Sequence, residues 1–299
     1  MSSAEVAVKV FRTLTPEELK ILQVIETGMG KHEYVPKEEI ARHANVPKEK
    51  IDRDLGKVDK LGLIYGMRGA YVGYTLNYAG YDCLAINALV KAGVLEAFGK
   101  PLGVGKEADV FDALDPKGKR VAVKFHRLGR ISFRQTRRKR GYMADHAGWL
   151  FQSRQAAEKE FEVLQLVHSR GVAVPEPISQ NRHAIVMGVI EGAELAKWRE
   201  LDDPAAVLRE ILENVKRCFL EAGVIHADLS EYNIILKPDM HILIIDWPQY
   251  VTREHPNAEE LLERDVKNVL DFFSRRFRIR AELEEVCRFV AGKAETLPV

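Results

Sequence analysis

The stretch Val224–Leu236, VIHADLSEYNIIL, sets a polar loop between two short apolar runs, and only 63 residues follow it. The loop has the spacing H-x-D-x-x-x-x-N. Just beyond it, HILIIDWPQ is an apolar run, read as a buried strand, that ends on Asp246. Phosphoryl transfer asks for this arrangement. Asp228 would accept or orient the proton of an attacking hydroxyl or water. Asn233 and Asp246 would hold a Mg²⁺ that neutralises charge on the transferring group. His226 is read as a brace for the loop. The short remainder constrains the fold, because it cannot build the peptide-docking helices of an ordinary protein-kinase lower lobe.

Two upstream segments belong to the same chemistry. GVGKEADVF, Gly103–Phe111, precedes RVAVKF, Arg120–Phe125. Two glycines two apart, with Val110 on the next strand, let backbone N–H groups approach phosphates closely. Lys124 in V-A-V-K sits where a strand lysine grips the α- and β-phosphates. A Walker loop is excluded, since Glu107 stands where Ser or Thr is required. A Rossmann fingerprint is excluded by Ala108 at the third glycine position. A strand lysine of this kind needs a carboxylate partner. SRQAAEKEFEVLQLVHSRGV reads as a helix with Phe161, Leu164 and Val167 inward. It offers Glu160 first, with Glu158 and Glu162 as competitors.

Two features depart from ordinary protein kinases. Ala227 replaces the arginine that precedes the catalytic aspartate. Asp246-Trp247-Pro248 replaces D-F-G, with no A-P-E after it. NAEELLERDVKNVLDFFSRRFRIR then reads as one amphipathic helix, with Leu262, Val266, Val269 and Phe273 inward.

The first ninety residues read as short helices and a hairpin. Thr15-Pro16-Glu17-Glu18 is a helix start with Thr at the cap, Pro at the first turn and Glu at the third position. Leu19, Leu22 and Ile25 follow on one face. Pro36 opens a second helix through Ile40 and Ala41. NVPKEKIDRDLGKVDKLGLI reads as a tight turn and a third helix with the stripe Val46, Ile51, Leu55, Val58, Leu61, stopped by Gly62. LIYGMRGAYVGYTL reads as two strands around a turn. This is the order of a winged helix. Its third helix and wing would touch nucleic acid through Lys48, Lys50, Arg53, Lys57, Lys60 and Arg68. TLNYAGYDCLAINALVKAG continues as a helix, and Gly93–Gly103 is the expected join to the next domain.

GKEADVF, VAVKFHRLGRISF, SRQAAEKEF, VPEPI, NRHAIVM, HADLSEYN and IDWPQ, behind a winged helix, resemble the RIO family of atypical serine/threonine protein kinases, in its winged-helix-bearing subfamily. The resemblance spans nearly the whole chain. It implies an α+β fold: an N-terminal winged-helix domain over residues 1–90, then a truncated two-lobed kinase-like domain over 91–299. The lobes are expected at about 91–187 and 188–299. The resemblance also implies ATP with Mg²⁺ (Mn²⁺ in its place), small-ribosomal-subunit maturation, and an aspartyl-phosphate on the metal-binding aspartate. Asp228 becomes the catalytic aspartate, Asn233 and Asp246 the metal ligands, and Lys124 and Glu160 an ion pair. Nucleotide contacts are expected from Gly103, Val104, Gly105, Lys106 and Glu107, and from Val110 and Ala122. Met187 takes the gatekeeper position and Gly188, Val189 and Ile190 the adenine-facing hinge, with Ile235 and Ile245 as further nucleotide contacts. Family members usually carry Ser where this chain has Ala108, so backbone contacts to the phosphates must suffice. The glutamate common in the family's hinge is Gly188 here.

One insertion bears on partners. Arg127, Arg130, Arg134, Arg137, Arg138, Lys139 and Arg140 fall within fourteen residues without an acid, interleaved or flanked by Phe133, Tyr142 and Trp149. Net charge is only +1, so any nucleic-acid role must come from such a local patch. The segment is expected to contact ribosomal RNA. A Ser/Thr protein substrate, or autophosphorylation, is the further expectation. The three cysteines are far apart and argue against a disulfide framework. No long uncharged apolar run suggests a membrane span, and the chain reads as cytoplasmic. Two other readings remain: a small-molecule phosphotransferase of the aminoglycoside-kinase type, which shares both motifs but usually has a helical substrate pocket, and a nucleotide-sensing nucleic-acid-binding regulator without catalysis.

Overall fold

In the computed structural model the described residues are 2–105, 107–129 and 142–297, the side chains of 48 and 142–147 apart. The chain forms two compact units. One comprises Met1–Glu158 with Ile178–Met187, the other Lys159–Pro177 with Gly188–Val299.

The first unit begins with helices α1 (Ser3–Val10) and α2 (Pro16–Gly28). Each starts with a reciprocal capping box, Ser2 with Glu5 and Thr15 with Glu18, which satisfies orphan N–H groups at both starts. Strand β1 (Val35–Pro36), helices α3 (Lys37–Ala44) and α4 (Lys48–Lys60), and strands β2 (Ile64–Arg68) and β3 (Val72–Leu76) complete a winged helix. Its three-stranded sheet has the order β1-β3-β2. On α4 the expected stripe is buried at Ile51, Leu55 and Val58, with Leu61 half-buried. Gly62 follows in the left-handed conformation at φ 72°. On α2 the inward face is Ile21, Leu22 and Ile25, while Leu19 is only half-buried.

Helix α5 (Tyr78–Lys91) is buried continuously from Tyr78 to Ile86. Gly80 lets it pack at close range, because a Cβ there would stand 2.2 Å from the Leu63 carbonyl oxygen. One hydrophobic core runs from the winged helix through Leu84, Ala85 and Leu89 of α5 to Phe111, Val123 and Phe125 of a five-stranded sheet. That sheet has the order β4-β5-β6-β8-β7. Its strands are β4 (Ala97–Val104), β5 (Ala108–Leu114), β6 (Arg120–His126), β7 (Pro177–Asn181) and β8 (Ala184–Gly188). Strand β4 corrects the reading of Gly93–Gly103 as a join. The segment pairs with β5 as an edge strand, its register shifting on both sides of Pro101, and an edge is where a strand tolerates proline.

Helix α6 (Tyr142–Ser169) carries the chain into the second unit. There Val163, Leu164 and Val167 are buried, with Phe161 half-buried. The second unit holds β9 (Ala193–Glu194), α7 (Pro204–Arg217), β10 (Val224–Ile225), β11 (Ile234–Leu236), β12 (Ile242–Ile244), β13 (Val251–Thr252), α8 (Ala258–Phe277) and α9 (Leu283–Val290). Strands β12-β11-β9 form one small sheet and β10-β13 another. Leu262, Val266, Val269 and Phe273 of α8 face the core as their spacing requires. Cys83 and Cys218 are buried, Cys287 is half-buried, and all three are free thiols.

Candidate active site

In the first unit the glycine segment is a tight turn closing the β4–β5 ribbon. The Gly105 N–H donates to the Ala108 carbonyl at 2.8 Å, and Gly103 pairs with Val110 across the strands. Val110 stands opposite Lys124, and Ala122 lies two residues before Lys124. Residues directly paired, or two apart, share one face of a sheet. The register therefore brings Val110, Ala122 and Lys124 onto the same side. Lys124 is buried, which a lysine accepts only when its charge is satisfied. Glu107 is exposed, Met187 is buried at the end of β8, and Lys106 lies outside the described residues.

In the second unit the catalytic loop is held from several sides. The His226 Nε2–H donates to the Ile245 carbonyl at 3.0 Å, and its ring lies 4.6 Å from the Trp247 ring, centroid to centroid. Burial pushes this imidazole below its ordinary pKa, and these contacts link the loop to the Ile245–Trp247 segment. The Asn233 Nδ2 donates to the Asp228 carbonyl at 2.8 Å, and the Ile245 N–H donates to the Asn233 carbonyl at 2.9 Å. Asn233 thus ties the Asp228 loop to Ile245, the residue before Asp246. Asp228 and Asp246 are exposed, Ile235 is buried and Ile245 half-buried. Ala227 and Asp246 both occupy the left-handed region, at φ 63° and 67°. Non-glycine residues rarely do so without surrounding contacts that hold them there.

Of the three candidate glutamates, Glu160 is buried and its Oε1 accepts the Trp247 N–H at 3.3 Å. Glu158 is engaged with Arg154 and Glu162 faces solvent. The Gly188 N–H donates to the Glu176 carbonyl at 2.9 Å, and Val189 and Ile190 follow as half-buried loop residues.

Three residues of α8 escaped the sequence reading. The buried Asp265 carboxylate accepts the N–H groups of Ala227 at 2.7 Å and Leu229 at 3.0 Å. Arg264 donates to the Ala227 carbonyl, and Asn268 donates to the Leu229 carbonyl at 3.1 Å. Both peptide groups flanking Asp228 are therefore gripped by one helix. Burial raises the Asp265 pKa to about 6, against the lowering effect of those two N–H bonds. The available signal was a carboxylate on the inward face of α8, three residues after Leu262.

The basic groups divide differently from the expectation. Lys57 is held by Glu18 and the Thr13 carbonyl, and Arg53 by Asp54. Lys50, Lys60 and Arg68 face solvent, and the Lys48 side chain is outside the described residues. Arg127 does not join a nucleic-acid patch. It is 1% exposed and bonded to Asp82 at 2.9 Å and Asp109 at 3.2 Å. Its guanidinium is taken up by two buried carboxylates and is out of reach of phosphates in solvent. Arg130, Phe133, Arg134, Arg137, Arg138, Lys139, Arg140 and the Tyr142 side chain lie outside the described residues.

Comparison with known proteins agrees with this architecture. Residues 109–286 match the family model of the RIO domain, and residues 11–92 that of the Rio2 N-terminal domain. The chain is 43% identical over 265 residues to the RIO-type serine/threonine-protein kinase Rio2 of Methanocaldococcus jannaschii, covering 86% of this chain and 96% of that one. It is 36% identical to the serine/threonine-protein kinase rio2 of Schizosaccharomyces pombe, covering 92% of this chain and 81% of that one. The Rio2 kinase of Chaetomium thermophilum, solved as an ADP/Mg²⁺-phosphoaspartate complex, superposes with a TM-score of 0.83 at 34% identity, over 95% of this chain and 89% of that one. The chain therefore belongs to the RIO family of atypical serine/threonine protein kinases, in its winged-helix-bearing Rio2 branch.

Proposed function

We propose that the chain is an ATP- and Mg²⁺-dependent kinase and ATPase that acts in maturation of the small ribosomal subunit, in the cytoplasm, through an aspartyl-phosphate on Asp246. The observation that carries the reading is the pair of hydrogen bonds through which Asn233 joins the Asp228 loop to Ile245, the residue before Asp246. The phosphoaspartate of the Chaetomium thermophilum complex supports the covalent step. An Asp246 carboxylate oxygen forms a bond to the γ-phosphorus, the bond to the bridging oxygen of ADP breaks, and ADP leaves. Water then cleaves the acyl phosphate to inorganic phosphate and restores the carboxylate. Asp228 orients the attacking water or, when a Ser/Thr substrate or the chain itself is phosphorylated, the hydroxyl.

The residues fit the metal. Asn233 Oδ1 and the exposed Asp246 carboxylate are hard oxygen donors. No group of three His, Cys, Asp or Glu side chains among the described residues forms a cage. Mg²⁺ favours such partial sites, shared with water and phosphate oxygens, and Mn²⁺ fits the same donors. When bound, the metal offsets charge on the β- and γ-phosphates. Lys124 and the Gly103–Glu107 turn take the phosphates, and Met187–Ile190, Val110, Ala122, Ile235 and Ile245 the base. The arginine-rich segment and the winged helix supply the rRNA contacts. The absence, among the described residues, of any helix long and apolar enough to cross a membrane is compatible with this setting.

The test is Mg²⁺-dependent ATP hydrolysis with and without immature small subunits, with Asp228→Ala as the blank. Turnover is expected to rise with the particles and fall roughly 10²–10⁴-fold in the variant. Phosphate from γ-labelled ATP should be captured on the chain, be released by hydroxylamine, and be lost in Asp246→Asn. The absence of any hydroxylamine-released label, or turnover indifferent to the particles, would overturn the covalent and ribosomal parts respectively, whereas hydroxylamine-resistant label would report Ser/Thr autophosphorylation.

A further inference from the structure

A buried polar cluster in the first unit belongs to neither the winged helix nor the kinase sheet alone. Arg127, the residue after β6, donates from Nη2 to Asp82 on α5, from Nε to Asp109 on β5, and from Nη1 to the His126 carbonyl at 3.1 Å. Its guanidinium carbon stands 5.0 Å from the centre of the Tyr78 ring and 5.4 Å from that of Phe125. The second Asp82 oxygen bonds His183 Nε2 at 2.6 Å, and His183 stacks on Tyr81. Asp82, Asp109 and His183 are fully buried. Such charges are costly to bury, and apolar residues of the same volume would hold α5 to the sheet as well. The cluster therefore does something beyond packing.

Its attachment points show what. The Arg127 N–H donates to the Glu107 carbonyl at 2.6 Å, while its guanidinium holds Asp109. One residue thus fixes the chain on both sides of Ala108, where the glycine turn enters β5. The next residue is clamped as well. Ser153 Oγ accepts the Leu128 N–H at 3.0 Å, and Tyr78 Oη donates to the Leu128 carbonyl at 2.8 Å. Ser153 and Tyr78 bond each other at 2.7 Å, closing a three-membered ring. Ala108 has no hydroxyl to offer a phosphate, so the turn must bind through backbone N–H groups, whose placement depends on how firmly its ends are held.

We propose that Arg127 is a positioning residue for nucleotide binding: seated between Asp82 and Asp109, it ties the glycine turn to helix α5, so that the winged-helix side of the unit sets how well the turn holds nucleotide phosphates. The proposal rests on the reading of that turn as a phosphate site. Asp82 acts through Arg127, and Tyr78 through Arg127 and Leu128.

The experiment uses the full chain and two α5 variants, Asp82→Asn and Tyr78→Phe, with Arg127→Lys as the conservative replacement. Mg²⁺-ADP affinity is measured by calorimetry, Mg²⁺-ATP KM and kcat by turnover, and the fold by circular dichroism and melting. Asp82→Asn is expected to weaken ADP binding and raise KM by about five- to tenfold, with kcat at saturation changed less than twofold. Tyr78→Phe should move the same way by about two- to threefold, and Arg127→Lys should fall between wild type and Asp82→Asn. A purely structural cluster would lower the melting temperature and leave affinity per folded molecule unchanged. Unchanged affinity in folded Asp82→Asn overturns the proposal. Should that variant not fold, unchanged affinity in Tyr78→Phe overturns it equally. A wild-type chain that binds no ADP sinks the reading of the turn itself, and the proposal with it.

Discussion

Asp265 is pulled in two directions. Its two N–H bonds reward the carboxylate, and burial penalises it more, leaving the pKa at about 6 against an ordinary 3.8. The folded state thus binds this proton more tightly than the unfolded one. The contribution to stability is full below pH 3.8 and is lost as pH rises through about 6, a change of roughly 2–3 kcal/mol. Activity should follow the opposite sign, since protonation removes an acceptor from the catalytic loop. Asp265→Asn, which turns an amide donor toward one of two N–H groups, is expected to lower kcat about 10- to 100-fold, as a misplaced loop does. Nucleotide affinity should stay within about twofold. A kcat equal to wild type would show that Arg264 and Asn268 suffice to hold the loop.

At the scale of elements, α5 is closely constrained. Gly80 approaches the Leu63 carbonyl too closely for any side chain. Gly80→Ala should therefore cost about 1–3 kcal/mol through forced separation of helix and hairpin root. The check is the urea midpoint, and an unshifted midpoint would show that the contact relaxes freely. What the sequence discloses follows the range of the interaction. The Thr15–Glu18 box, the α4 stripe with Gly62, the wing hairpin and the α8 face were legible because their partners lie within a few residues. Ser2–Glu5 carries the same capping signature and passed unread. Strand β4 was not legible: with two glycines and a proline it has little strand character of its own, and it exists because β5 pairs with it. The site divides in the same way. Asp228, Asn233 and Asp246 announce themselves by spacing. Asp265 meets its partners 36 and 38 residues away, and Arg127 meets Asp82 across 45. A basic run in the sequence gave no hint that its first member is buried.

Across the whole molecule the two units should answer acid differently. Burial lowers the His183 pKa to about 4, against the opposing pull of Asp82. A depressed pKa of this kind adds stability that is full above pH 6.5 and is lost as pH falls toward 4. In the second unit His226 shifts the same way, also through burial, but Asp265 shifts oppositely and offsets it. Between pH 7 and pH 5, hydrogen exchange corrected for intrinsic rates should therefore show protection falling more in α5 and β8 than in α8. Equal losses in both units would contradict the assignment.

The Gly129–Trp149 contact has a practical consequence. A Cβ at Gly129 would lie 2.4 Å from the indole, so the ring rests directly on the backbone where the arginine-rich segment departs. The other two tryptophans, Trp198 and Trp247, lie in the second unit. With both replaced by phenylalanine, the emission wavelength of Trp149 becomes an intrinsic optical probe of the root of that segment, readable without a label while RNA or nucleotide is added.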